Sequence, residues 1–356
     1  MAYTLTLKLA RESRGLSQTE LAVQSGVSQA TLSKYEKGRA PISETQLASI
    51  AKILNYPTSL FSMEIQPLRD DTLCYRKRKT MSVRDVNMIE SKIAILNNSI
   101  DELLQSIELP ELSFQHIEVT SKMRPEEIAF KIREWLKLPP GPIDNFINVL
   151  ERNGVLVANL RMESAEKFDG LSMLTSTNSP IIWLNSEMPN DRKRFTLAHE
   201  LGHIIMHLRS EDMTKSDEEK DVEANAFAEE FLLPRNQCYD DFFNLKYSDL
   251  WLKKMYWKVS KAFIIRRAGA IGSISSRTKE YLQITLGRNG ERKAETGSVY
   301  LDMPTAIKKM VNLHLTELEY TIDELSDVLG ISVGDINQDL LYNKRPNLNK
   351  IFLFNS

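Results

Sequence analysis

Two histidines four residues apart, with a glutamate directly after the first, form the strongest chemical signal of this 356-residue sequence: Phe195-Thr-Leu-Ala-His199-Glu200-Leu-Gly-His203. On an α-helix that spacing sets the two imidazoles about 40° apart around the axis and one turn apart along it, so both reach one ion. Zinc takes neutral imidazole nitrogens at about 2.0 to 2.1 Å, and a catalytic zinc site combines three protein donors with one open position. Glu200 lies beside that position, where a carboxylate can take a proton from water and pass it to a leaving amine. The H-E-x-x-H pattern therefore points to zinc-dependent peptide-bond hydrolysis. The flanking Ala198, Leu201, Ile204, Ile205 and Leu208 make the helix largely apolar, hence buried. Buried polar side chains need partners, and a metal supplies one.

A third donor is expected from a neighbouring helix. Glu223 is the leading candidate, because Ala224, Ala226 and Ala228 around it let a second helix approach closely; Glu229 and Glu230 are weaker candidates. His207 continues the four-residue series but stands about 12 Å from His199 along the axis and about 80° around it. It is expected to pack or to support a ligand from behind.

The elements that must hold these residues can be read from periodicity and punctuation. Helices are expected over Pro125 to Leu136 and Ile143 to Asn153, then strands over Val155 to Leu160 and Pro180 to Asn185, with Asp169-Gly170 as a turn. The metal helix should run from about Asp191 to Leu208 and its neighbour from Asp217 to Leu233, stopping at Pro234. From Ser248 the pattern is helical, with a strand pair at Tyr281 to Leu286 and Gly297 to Leu301. The expected fold class is mainly α, with an α+β metal-bearing domain flanked by all-α modules.

Residues 4 to 60 read as four or five short helices, capped at Ser17 and Ser28 and turning at Gly26 and Gly38. In a helix-turn-helix the second helix, here Ser28 to Glu36, enters the major groove of duplex DNA. Gln29 and Thr31, with Lys34 one turn on, would meet bases or phosphates, and Gln18 would contact backbone and brace Gln29. Residues 1 to 60 carry seven basic against four acidic residues, and Arg76-Lys77-Arg78-Lys79 follows, whereas residues 209 to 230 hold nine acids against three bases. Different partners are expected for the two parts. The helical spacing of residues 82 to 107 suits packing within the chain or a homodimer, and both stay open.

The pattern Ser17-x-x-Glu20-Leu21-x4-Gly26-Val27-Ser28-x3-Leu32 recurs as Thr321-x-x-Glu324-Leu325-x4-Gly330-Ile331-Ser332-x3-Ile336. A second helix-turn-helix is implied. Its surroundings, including Glu317, Glu319, Asp323, Asp327, Asp335 and Asp339, would repel phosphate, so it is expected to pack on the metal-bearing domain or to bind a protein.

Cys74 and Cys238, far apart, suggest neither a disulfide framework nor a thiolate zinc site. No secretory leader or spanning segment is evident, so a soluble, cytoplasmic protein is expected.

Residues 17 to 38 resemble the phage-repressor-type (XRE) helix-turn-helix. The run R-K-R-F-T-L-A-H-E-L-G-H, with P-I-I-W-L-N before it and E-A-N-A-F-A-E-E-F-L-L-P after it, resembles the ImmA/IrrE family of bacterial and phage metallo-endopeptidases over about residues 123 to 290. That resemblance implies a zincin-like fold, a zinc ion, a protein substrate of the transcriptional-repressor kind, His199, His203 and Glu223 as ligands, and Glu200 as base. It also implies that the strand Pro180 to Asn185 is the edge on which substrate pairs.

Four segments follow: a DNA-binding domain at 1–66, a linker and helix at 67–122, a metallopeptidase domain at 123–290 and a helical C-terminal module at 291–356. The leading expectation is a DNA-binding transcriptional regulator with zinc endopeptidase activity. The competing one is a DNA-binding regulator or antitoxin whose metal is structural; a structural zinc, however, needs a closed fourth position and no glutamate beside the first histidine.

Overall fold

A computed structural model describes residues 4–68, 81–161, 168–210, 214–292 and 294–343. Cys74 and the basic run 76–79 lie outside them. The chain divides into two compact units, one of residues 1–67, 86–107 and 307–356, the other of 68–85 and 108–306. Among the described residues no helix is long and apolar enough to cross a membrane.

The first unit opens with α1 (Thr4–Ser13), α2 (Gln18–Ser25), α3 (Gln29–Glu36) and α4 (Glu44–Leu54), then a 3-10 turn at Thr58–Ser62. Ser17, Ser28 and Ser43 cap α2, α3 and α4 by accepting from the amides of Glu20, Thr31 and Gln46, donors that a helix start otherwise leaves unpaired. Gly26 ends α2 at φ 69°, the left-handed conformation that glycine adopts without steric cost. Leu7, Leu21, Leu32, Ile50, Leu54, Leu60 and Phe61 are buried in its core.

The long helix α5 (Val83–Leu104) buries residues around most of its circumference, so packing within the chain accounts for its apolar spacing. Ser99 on α5 donates to the carbonyl of Leu329, and Lys92 pairs with Asp339 at 2.9 Å.

The C-terminal repeat belongs to this unit too, where the sequence suggests packing on the metal-bearing domain or binding a protein. Its backbone repeats the N-terminal devices: Thr321 and Glu324 form the same reciprocal cap as Ser17 and Glu20, Gly330 turns at φ 67°, and Ser332 caps the next helix. Asp335 accepts from Arg14 at 2.7 Å, and Asn55 donates to Ser332. Part of the acidic charge expected to seek an outside partner is thus satisfied inside the unit.

The second unit holds α6 (Pro125–Trp135), α7 (Phe146–Arg152), β1 (Leu156–Leu160), β2 (Gly170–Leu174), β3 (Pro180–Asn185), α8 (Asn190–Met206) and α9 (Asp217–Leu232). After them come α10 (Arg235–Cys238), α11 (Leu250–Trp257), α12 (Lys261–Ile271) and α13 (Ser276–Arg288). The sheet order is β1-β3-β2, with β1 parallel and β2 antiparallel to β3.

Two expectations need correction. The strand Pro180–Asn185 is the central one, paired on both sides and buried at every residue, so it is not an edge. Residues 281–286 form part of α13, and 297–301 are not a strand. Ser275 caps α13, and Leu282 and Leu286, four apart, make its buried face; the alternation of apolar residues there imitates a strand.

Helix α8 packs on β2 and β3, and α9 packs on α8 and α6, with Leu197, Ala198, Leu201, Ile205, Phe227, Ala228 and Phe231 in one core. Gly202 allows this closeness, since a Cβ there would stand 3.1 Å from the Phe227 ring and 3.4 Å from the Ala224 Cα. Gly170 does the same for β2, where a Cβ would fall 2.5 Å from the Thr196 methyl on α8.

Candidate metal centre and nucleic-acid interface

Helix α8 carries His199, Glu200 and His203 on its buried face. The Nε2 atoms of His199 and His203 stand 3.1 Å apart, and the Asp221 Oδ1 of α9 lies 3.7 and 3.5 Å from them. Two donors bound to one zinc at tetrahedral angles are separated by roughly 3.3 Å, so these three atoms fit a single ion of that size. The donor set, two imidazoles and a carboxylate, matches the preferences of zinc as well.

The expected third donor, Glu223, is not with them. Its carboxylate meets His207 Nε2 at 2.9 Å and accepts from Lys215 Nζ at 2.7 Å. Asp221 and Glu223 are two positions apart and therefore project about 200° apart around α9, so they cannot serve the histidine pair equally. A signal for Asp221 exists in the sequence: it precedes Ala224 and Ala228 by three and seven residues, the helical spacing of the buried face. Glu229 and Glu230 are engaged elsewhere, paired with Arg266 and Arg267.

Glu200 is 2% exposed, and its Oε2 accepts from Ser172 Oγ of β2 at 2.7 Å. Burial pushes its pKa up to about 7, against the opposing pull of His199 and the Ser172 bond. Such a carboxyl is poised to exchange protons near neutrality. Burial lowers His203 to about 3, despite the Asp221 carboxylate, so its ring is neutral as a zinc ligand must be. Burial alone would raise Asp221, but the neighbouring His199 and His203 rings outweigh it and hold Asp221 well below its ordinary value. His207 is lowered by burial more than its bond to Glu223 raises it.

Sequence reasoning misses Ser172. It sits in a strand that the sequence does not announce, and a lone serine in Leu171-Ser172-Met173 offers no signal without the β2–α8 packing.

In the first unit, α3 presents Gln29 and Lys34 exposed and Thr31 half-buried. Gln29 Nε2 donates to Gln18 Oε1 at 2.8 Å, and Gln18 Nε2 donates to Glu36 at 2.7 Å. Arg11 also holds Glu36, at 2.6 Å, so α1, α2 and α3 are tied at one carboxylate. Thr31 Oγ1 shares a hydrogen bond with the capping Ser28 hydroxyl. The arrangement offers a Gln18–Gln29 amide pair and a lysine one turn on, a set suited to adenine edges and phosphates.

Comparison with known families matches residues 7–61 to a helix-turn-helix model and residues 151–268 to the IrrE N-terminal-like domain, a peptidase family. The chain joins a helix-turn-helix domain to an IrrE N-terminal-like domain. The IrrE-like match spans β1 to α12 and so contains every residue of the candidate centre. A search of curated proteins finds no match. The helix-turn-helix match marks a DNA-binding regulator, and the IrrE-like match marks a metallopeptidase-like domain.

Proposed function

We propose that the chain is a DNA-binding transcriptional regulator whose IrrE-like domain is a zinc-dependent endopeptidase, cutting a regulatory protein of the repressor kind. His199, His203 and Asp221 would hold the ion. The observation that carries this reading is the convergence of their three donor atoms, with the Glu200 carboxylate on the same helix face.

When bound, zinc supplies Lewis-acid polarisation of a peptide carbonyl and acidification of water. The protein supplies the proton handling. Ser172 occupies Oε2 of Glu200, which leaves Oε1 to take a proton from water and deliver it to the leaving nitrogen. Strand β2 ends the three-stranded sheet among the described residues and carries Ser172. A substrate segment that adds to β2 by backbone hydrogen bonding lies next to Glu200.

On the DNA side, Gln18, Gln29, Thr31 and Lys34 form the contact set on duplex DNA. Thr31 helps to cap α3 and positions its start, while Gln29 and Lys34 project. A purely structural metal is the poorer reading, because three protein donors would leave a zinc ion free to take a water, and the buried Glu200 carboxyl directly follows the first donor histidine. Zinc content together with cleavage by the wild type and by Glu200→Gln tests the proposal.

A further inference from the structure

Behind His203 lies a line of hydrogen-bonding groups that the proposed chemistry leaves unused. His203 Nδ1 meets His207 Nδ1 at 2.9 Å, His207 Nε2 meets Glu223 Oε2 at 2.9 Å, and both Glu223 oxygens accept from Lys215 Nζ, at 2.7 and 3.1 Å. We propose that Lys215, Glu223 and His207 are positioning residues, forming a relay that fixes His203 in the tautomer whose bare Nε2 faces the metal. The proposal rests on the metal-centre reading above and adds a role for three residues outside the donor set.

From the outer end inward, each contact fixes the next. A carboxylate paired with an ammonium has only lone pairs to offer, so His207 Nε2 must be the donor in its contact with Glu223. Lys215 already balances the Glu223 charge, and a second cation on a buried ring beside it would be opposed. His207 is then neutral with its proton on Nε2, and its Nδ1 can only accept. His203 must therefore donate from Nδ1, which strips Nε2 of its proton and turns the lone pair toward His199 and Asp221.

A ligating histidine generally donates its other ring N–H to a carboxylate or carbonyl, which sets the ring angle and raises ligand basicity. Here one imidazole is interposed between ligand and carboxylate. His199 has no such support: its Nδ1 is buried without a hydrogen-bond partner among the described residues. The two ligands are thus unequally held. His203 is the ring fixed in advance of the metal, and His199 is the one the metal itself must orient.

Two measurements on the full chain test this, one of them without metal. In metal-free protein labelled with 15N-histidine, long-range proton–nitrogen correlation reads each ring's tautomer. The expected result is His207 protonated on Nε2 alone and His203 on Nδ1 alone, with the His203 preference lost in Glu223→Ala and restored in Glu223→Gln, whose amide oxygen still accepts. Zinc affinity by chelator competition should fall about 10- to 100-fold in Glu223→Ala, with one ion still bound and the cobalt-substituted spectrum still tetrahedral. The glutamine variant should regain most of that loss. A doubly protonated His207, a His203 protonated on Nε2, or unchanged zinc affinity in Glu223→Ala overturns the relay. So does complete loss of metal in Glu223→Ala, matching Asp221→Ala, because Glu223 would then be a ligand. If the tautomers are as stated and wild type binds no zinc, the relay geometry holds and the metal-centre reading is what fails.

Discussion

Ser172 Oγ on β2 donates to Glu200 Oε2 on α8 across 2.7 Å, and both residues are buried. The bond joins the strand proposed to pair with substrate to the carboxylate proposed to take a proton from water. Gly170, two residues earlier, is what lets β2 come this close to α8. Replacing Ser172 with Ala removes one charge-assisted hydrogen bond of about 1.5 to 3 kcal/mol. We expect proteolysis to slow by roughly 10-fold or more while zinc content is unchanged, since Ser172 touches no proposed donor. Equal rates for wild type and Ser172→Ala, measured on one target, would leave Ser172 without a part in the proton transfer.

Asp221 and Glu223 are separated by a sharper comparison. Asp221→Ala should lose stoichiometric zinc and proteolysis together, and it should destabilise the domain, because an ion held by His199, His203 and Asp221 would join α8 to α9. Asp221→Glu should recover part of both. Zinc retained at one ion per chain in Asp221→Ala, measured after dialysis against a weak chelator, would contradict the proposed donor set.

The seam between those helices has its own test. In Gly202→Ala the new methyl meets the Phe227 ring at 3.1 Å and the Ala224 backbone at 3.4 Å, so the helices must part slightly. The cost expected for such overpacking is about 1 to 3 kcal/mol, together with weaker zinc binding. Thermal unfolding with and without zinc measures both; an unchanged melting temperature in each condition would show that the seam has slack.

How far the sequence alone reaches is visible at this seam. The H-E-x-x-H spacing needs only helix geometry, so His199, Glu200 and His203 are legible as a group facing one point. Asp221 and Glu223 are harder to tell apart, because each lies near alanines and only the packed face of α9 separates them. The start of strand β2 reads as a turn, since Asp169-Gly170 looks like one and the five-residue strand is too short to show a period. The segment Tyr281-Leu-Gln-Ile-Thr-Leu286 alternates like a strand, yet its Leu282 and Leu286 are also four apart, and the Ser275 cap decides for helix. The placement of the C-terminal repeat beside the first helices rests on pairs such as Arg14–Asp335, 321 residues apart in sequence, which no local pattern encodes.

Acid should weaken the second unit through Glu291. This carboxylate accepts from Lys261 Nζ at 2.6 Å, from Tyr247 OH at 2.7 Å and from the Thr296 amide at 3.1 Å. Burial alone would raise its pKa, but these bonds outweigh it and lower the value from 4.5 to about 2. A folded-state pKa below the unfolded one means the stabilisation is complete above the unfolded value and is lost as pH falls through the folded one. The contribution is on the order of 2 kcal/mol, disappearing between about pH 5 and pH 2. Glu291→Gln should be less stable than wild type at pH 7 and should lose less on acidification. Parallel stability–pH curves for the two proteins would contradict this.

For DNA, Gln29→Ala should reduce discrimination between the cognate site and its single-base variants by about 1 to 3 kcal/mol. It also frees Gln18 from their shared hydrogen bond, so Gln18→Ala should show a weaker form of the same loss. Lys34→Ala should instead lower affinity evenly across sequences and reduce the slope of log affinity against log salt by about 0.9. Identical sequence preference in wild type and Gln29→Ala would move the base-reading role elsewhere on α3.

Glu200 is proposed to do chemistry and not to hold the ion. Wild type, Glu200→Gln and His203→Ala are expressed in parallel, zinc per chain is measured by elemental analysis after dialysis, and newly cut protein N-termini are mapped in the same cells. One zinc is expected in wild type and in Glu200→Gln, none in His203→Ala, and a specific cut in a regulatory protein that only wild type produces. Loss of zinc from Glu200→Gln as complete as from His203→Ala, or the same cut made by Glu200→Gln at the wild-type rate, would contradict it.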